Sequence, residues 1–209
     1  MEYTYRYGDA SRLYLNVTNK CTNRCSFCVR YYSAGLGGAV LWGEDEPDIR
    51  MLKDSVQRIG GVGAFSEFIW CGFGEPTYRL DLIVEAAAWL RSKGARIRLN
   101  TNGHACLIHG GDVLSELCSA VDDVSISLNA PDSGRYLELC RPEPDSVLVD
   151  GGSVSPDSFW DATVDFLTRA PARFKSVQAS VVGSALTEEE IVSCENVARS
   201  LGVTGFRIR

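Results

Sequence analysis

The chain has 209 residues, 45% of them apolar and 23% charged, which is enough for one domain with a full core over residues 1–209. Its net charge of -6 argues against a general nucleic-acid or membrane-surface binder, which would carry a basic excess. No apolar run is long enough to cross a bilayer, and the opening "MEYTYRYGDAS" has neither the basic nor the apolar segment of a secretion signal. A cytoplasmic protein is expected. There, eight cysteines serve as metal ligands, reactive thiols or small core residues more readily than as disulfides.

Strands and helices alternate along the chain. The spacing predicts strands over Leu13–Val17, Glu67–Cys71, Arg96–Asn100, Asp123–Leu128, Ser176–Val182 and Gly205–Ile208. Helices are predicted between them. Asp48–Ile59 carries Ile49, Leu52, Val56 and Ile59 on one face, with Pro47 suited to the first helical position. Leu80–Lys93 follows, stopped by Gly94, then shorter helices over Val113–Val121 and Ser158–Thr168. The last helix opens on a Thr187/Glu190 capping box and ends at Gly202. Six strands alternating with five helices read as parallel βαβ units. A closed eight-fold barrel needs about 250 residues. The expected fold is therefore an open (β/α)6 partial TIM barrel, with a doubly wound sheet as the alternative. Residues Arg30–Glu46 and Arg141–Pro156 read as irregular loops of the kind that form lids or binding surfaces.

Cys21-x3-Cys25-x2-Cys28 follows the first predicted strand, where parallel α/β folds build their sites. The compartment disfavours a disulfide. A structural zinc site needs a fourth ligand, for which Cys71, Cys106, His104 and His109 are candidates. A four-iron cluster held by three thiolates leaves one iron open to another ligand. The triplet by itself leaves zinc and iron–sulfur both open.

With Phe27 before its last cysteine, the triplet resembles the signature of the radical S-adenosylmethionine (radical SAM) superfamily. That resemblance implies a [4Fe-4S] cluster on Cys21, Cys25 and Cys28, whose open iron chelates S-adenosylmethionine. It implies reductive cleavage to methionine and a 5′-deoxyadenosyl radical that abstracts a substrate hydrogen. It also implies an electron donor such as flavodoxin or ferredoxin.

The rest of the chain supports this. "CGFGEPT" follows the second predicted strand, with two glycines, an acceptor at Glu75 and a turn fixed by Pro76. It looks like the family's Gly-Gly-Glu-Pro motif for the amino group of S-adenosylmethionine, with Phe73 inserted between Gly72 and Gly74. "NTNG" and "SISLNA" follow the third and fourth strands, and by the same resemblance Thr101, Asn102, Ser127 and Asn129 contact the methionine and ribose portions. Val182 is matched to the adenine. "LYLNVTNKCTNRCSFCVR", "WGEDEPD" and "GFGEPT" resemble the TatD-nuclease-associated radical SAM proteins, which implies a functional link to a TatD-family nuclease. A zinc-stabilised adaptor using the triplet plus Cys71 or His104 is the rival reading.

Other residues are weighed more plainly. Cys118 and Cys194 fall on apolar helix faces and are read as core, while Cys71 and Cys140 are ambiguous, Cys140 lying in a predicted loop. His104 and His109 are read as surface residues. Arg30 and Arg141 suit either an anionic substrate or ordinary salt bridges. "GLGG" at 35–38 does not fit a dinucleotide fingerprint.

Overall fold

The computed structural model describes residues 1–147 and 154–209. Its strands are β1 (Thr4–Tyr5), β2 (Arg12–Leu15), β3 (Gly35–Leu36), β4 (Ala39–Val40), β5 (Glu67–Trp70), β6 (Arg96–Thr101), β7 (Asp123–Ser127), β8 (Ser176–Val181) and β9 (Gly205–Ile208). Its helices are α1 (Ile49–Arg58), α2 (Leu80–Arg91), α3 (Ala105–Ile108), α4 (Leu114–Ala120), α5 (Ser133–Cys140), α6 (Asp157–Arg169) and α7 (Glu188–Ser200).

The main sheet runs β1-β2-β5-β6-β7-β8-β9. From β2 onward all neighbours are parallel and spatial order equals chain order, which rules out the doubly wound alternative. Burial holds the Tyr14 hydroxyl on β2 above the usual range, and among the cations that pull against it is Arg207 on β9, five strand spacings away. In a flat sheet those strands would stand about 24 Å apart, so the sheet curls toward closure without β2 and β9 pairing. This is the open barrel expected from the sequence.

One face of the sheet packs on the helices. Leu13, Leu15, Phe68, Trp70, Leu99 and Ile126 belong to a single core shared with α1, α2, α4 and α6. The capping box expected at Thr187 and Glu190 is present. Asp48 is the N-cap of α1 and accepts from Met51 N at 2.7 Å, so Pro47 lies one place before the cap rather than inside the helix. Cys194 is buried in the core, and Cys118 packs partly against it. No helix among the described residues is long and apolar enough to cross a membrane.

Five elements depart from the sequence reading. β1 pairs antiparallel to β2 through only two residues, too few for a periodic signal. The segment read as an irregular loop over Arg30–Glu46 contains the β3–β4 hairpin, whose turn residues Gly37 and Gly38 have φ of 59° and 85°. Glycine pairs at positive φ are what a two-residue hairpin turn demands. Helix α3 is a single turn. Helix α5 places Cys140 at a helix end, not in a loop, because Asp132 caps it by accepting from Arg135 N at 2.9 Å while Tyr136, Leu139 and Cys140 turn inward. The Arg141–Pro156 segment begins with Arg141 in the left-handed region (φ 48°) and a bridge between Pro142 and Asn23. Residues 148–153 of that expectation, including "DGGS", lie outside the described residues.

Candidate active site at the C-terminal ends of the strands

The cysteine loop leaves β2 and crosses the mouth of the barrel. Its three thiols are unpaired and half-buried. Cys25 and Phe27 pack against a small second core of Tyr136, Cys140 and Phe159. As bare thiols all three are held above the usual range, Cys21 up to about 12 and Cys28 mainly by burial, Cys25 mainly by its contact with the Cys140 thiol. A metal-bound thiolate would remove that penalty, because ligation requires the deprotonated form. The Arg30 guanidinium favours all three thiolates. It also braces the loop by donating to the carbonyls of Asn19 (3.4 Å), Asn23 (3.2 Å) and Phe73 (3.5 Å).

A polar web beneath the loop fixes its path. Asn102 Nδ2 donates to Thr22 Oγ1 at 2.7 Å, and Thr22 Oγ1 stands 2.7 Å from His104 Nδ1. His104 Nε2 lies 2.9 Å from Tyr136 Oη and 3.1 Å from Thr163 Oγ1. Tyr136 Oη accepts from Asn23 Nδ2 at 3.0 Å. His104 is therefore wholly buried, contrary to the surface position read from the sequence. It sits at the mouth of α3, a helix the sequence reading did not contain. His109 is exposed, with Nε2 at 2.7 Å from the Thr77 carbonyl.

The "CGFGEPT" turn packs against this loop. A Cβ on Gly72 would lie 2.0 Å from Asn16 Oδ1, and one on Gly74 would lie 2.3 Å from the Lys20 carbonyl. Both glycines are thus required by contact with the protein's own residues 16–20, not by space left for a ligand. Phe73 turns its ring away, into a cluster with Tyr5 and Leu41 and edge-on to Trp42. Pro76 opens a short 3-10 turn.

Glu75 is buried, and burial raises its carboxyl above the usual range against the pull of its hydrogen bonds. Oε1 accepts from Thr77 N (3.1 Å), Thr77 Oγ1 (2.8 Å) and Thr101 Oγ1 (2.8 Å), and Oε2 from Asn102 N (2.7 Å). Four donors fill a carboxylate's ordinary capacity. Glu75, Thr101 and Asn102, read from the sequence as cofactor contacts, are joined to one another and, through Asn102, to Thr22.

Other residues face the mouth with capacity to spare. Asn129 holds a left-handed backbone (φ 58°), and its buried Oδ1 has no partner among the described residues. A non-glycine residue in that region and an orphaned buried acceptor both point to a ligand. Ser127 is half-buried and accepts from Arg209 at 3.0 Å. Val182 is half-buried at the end of β8. Burial raises the Cys71 and Cys28 thiols, and Arg209, which the sequence reading did not single out, pulls against that rise at both. Its signal was positional, since it lies one residue past the last strand.

These residues suit a cluster and a zwitterionic sugar-bearing ligand better than a zinc clip. Both ring nitrogens of His104 are engaged by hydroxyls. Among the described residues, no three Cys, His, Asp or Glu side chains gather closely enough for a single ion. A four-iron cluster spreads its thiolates wider, one to each iron.

The "Radical SAM superfamily" model matches residues 15–194, from the end of β2 into α7. Proteins of that superfamily are enzymes that use a [4Fe-4S] cluster and S-adenosylmethionine with a reductant such as flavodoxin or ferredoxin. The fold is similar to Streptococcus suis SuiB bound to precursor peptide SuiA (TM-score 0.66, 15% identity, 95% of this chain and 38% of that one). It is similar to methylornithine synthase PylB (TM-score 0.61, 14% identity, 95% and 52%). It is also similar to the FeFe-hydrogenase maturase HydG from Carboxydothermus hydrogenoformans (TM-score 0.61, 14% identity, 95% and 43%). The chain thus spans about two fifths to one half of these solved proteins. No curated protein matches the sequence. With the family match covering most of the chain and including the cysteine loop, the chain belongs to the radical SAM superfamily.

Proposed function

We propose that this protein is a radical SAM enzyme whose cluster is held by Cys21, Cys25 and Cys28. When bound, the cluster and S-adenosylmethionine supply a 5′-deoxyadenosyl radical that abstracts hydrogen from a substrate. The carrying observation is the set of three unpaired thiols on one braced loop, together with the orphaned side-chain carbonyl of Asn129 at the end of a neighbouring strand.

The chain's own residues divide the work. Glu75 acts as a pin: its filled carboxylate fixes the turn at 72–74 against the end of β6, leaving backbone carbonyls of that turn to receive an ammonium group. Asn129 and Ser127 receive ribose hydroxyls. Arg209 offers its guanidinium to a carboxylate, and Val182 lies against the adenine. Phe27 shields the loop from water through its contacts with the second core.

The electron donor is an acidic carrier protein. A basic, aromatic pocket of about 650 Å³ lies over the cysteine loop, lined by Arg24, Ser26, Tyr31, Tyr32 and Arg141. Its charge is opposite to that of such a carrier. The likeness to the TatD-associated subgroup rests on three sequence segments. In the structure "WGEDEPD" abuts the cysteine loop, with Glu46 accepting from Thr18 Oγ1 at 2.6 Å and paired with Arg79. A functional link to a TatD-family nuclease and a cytoplasmic setting belong to the same proposal.

Anaerobically purified protein should be brown, contain iron and acid-labile sulfide, and form 5′-deoxyadenosine under reduction. Stoichiometric zinc without iron-dependent cleavage of S-adenosylmethionine would sink the reading.

A further inference from the structure

The concave face of the sheet is unlike a barrel core. Residues in register on parallel strands share a face. Opposite the helix-packed face lie four rows: Arg12, Glu67 and Arg96; Tyr14, Ile69, Arg98, Asp123 and Ser176; Asn100, Ser125, Gln178 and Gly205; and Ser127, Ser180 and Arg207. Ile69 is the only aliphatic side chain in them. Barrels of this kind normally fill the interior with branched apolar residues. Here the interior cannot pack dry.

Two buried atoms on this face have no partner among the described residues, Arg98 Nε and Asn100 Oδ1. They are a donor and an acceptor two positions apart on one strand. A buried donor or acceptor left without a partner is unfavourable, and a bound molecule offsets it. A cavity of about 270 Å³ opens toward the N-terminal ends of the strands, where Arg98, Ser125 and Gln178 line it beside Arg96 and the carboxylates of Glu67 and Asp123.

The face is also positive. Its strand positions and the adjoining Arg209 supply Arg12, Arg96, Arg98, Arg207 and Arg209 against Glu67 and Asp123, or 5 − 2 = +3, on a chain of net charge -6. Glu67 is divided between Arg12 at 3.1 Å and Arg98 at 3.0 Å. Arg207 has no ion pair among the described residues. Burial raises the Tyr14 hydroxyl above its usual range, and Arg98 on β6 and Arg207 on β9 both pull against that rise.

We propose that this face binds the substrate and that the substrate is a small polar molecule carrying an oxyanion, a carboxylate or a phosphate. Arg98 and Arg207 hold the oxyanion, and Asn100, Ser125 and Gln178 read adjoining hydroxyl or amide groups. This rests on the radical SAM reading, because Ser127 and Asn129 place the cofactor at the mouth of the same face.

The test measures thermal shift of the cluster-free chain with inorganic phosphate, with succinate and with neutral glucose at fixed ionic strength. Wild type and the Arg98→Gln and Arg207→Gln variants are compared. A ligand at tenfold its dissociation constant should raise the wild-type midpoint by roughly 3–6 °C, and either substitution should weaken binding about tenfold. A shift with phosphate alone assigns a phosphate ester, and one with succinate alone a carboxylate. Equal shifts in wild type and both variants mark a general salt effect and overturn the proposal, as does a response to glucose only. Formation of 5′-deoxyadenosine by the iron-loaded protein is measured alongside. Cleavage without anion binding removes the substrate class and keeps the radical reading, whereas anion binding without cleavage does the reverse.

Discussion

Thr22 Oγ1 lies 2.7 Å from His104 Nδ1, tying the residue after the first cysteine to the end of the third parallel strand. Thr22 Oγ1 also accepts from Asn102 Nδ2 at 2.7 Å. Burial holds His104 down to about 3, so the folded protein keeps it neutral. The unfolded chain protonates it below about 6.5. The unfolded state thus binds more protons between those values, and stability falls as pH drops from about 6.5 toward 3, by up to about 1.4 kcal/mol per unit. Urea unfolding at stepped pH should show this slope. His104→Gln should flatten it, and an unchanged slope in that variant would refute the assignment.

Cys25 and Cys140 touch, yet only one is assigned as a ligand. Cys25→Ala should lose most of its iron and all 5′-deoxyadenosine formation. Cys140→Ala should keep both, with a stability loss of about 1 kcal/mol from the small cavity. Iron loss in both variants would make Cys140 part of the metal site.

Asn129 combines an unusual backbone with an orphaned acceptor, and two substitutions separate them. Asn129→Gly and Asn129→Ala both remove the carbonyl and should weaken S-adenosylmethionine binding to the iron-loaded protein about tenfold. Only alanine should also cost about 1–2 kcal/mol of stability, since glycine accepts the left-handed region freely. Calorimetric titration and thermal unfolding read the two effects. Unaltered affinity in the glycine variant would remove Asn129 from the cofactor site.

Gly74→Ala should push the cysteine loop away, because the new methyl would meet the carbonyls of Lys20 at 2.3 Å and Thr18 at 2.6 Å. The expected stability loss is roughly 2–4 kcal/mol, with reduced iron incorporation. Gly111→Ala, which meets nothing within 4 Å, is the control and should be near neutral.

The sequence made the barrel and the cysteine loop legible because both are local. Strand runs, helix stripes and Cys-x3-Cys-x2-Cys are each read within a few residues. What it hid depends on distance. Glu75, Thr101 and Asn102 look like ligand-facing polar residues along the chain, and only the fold shows that they satisfy one another. His104 looks like a loop histidine until Thr22, Tyr136 and Thr163 arrive from three other segments. Arg209 and the polar rows of the concave face have no motif, since register across strands creates them. Helix α5 was missed although Asp132 and the Tyr136/Leu139/Cys140 spacing carried its signal.

The order of the sheet has a consequence for synthesis. Each parallel strand pairs with the one made just before it, so the barrel can be laid down progressively as the chain emerges. The cysteine loop is different. Its Asn23 awaits Tyr136, 113 residues later, and its companion His104 awaits Thr163, 59 residues further along the chain than itself. The loop is thus among the first segments made and among the last to be fixed. Iron acquired before α5 and α6 are in place would meet thiols on an unbraced loop, so assembly of the metal centre belongs after translation of residue 163 rather than alongside the first strands.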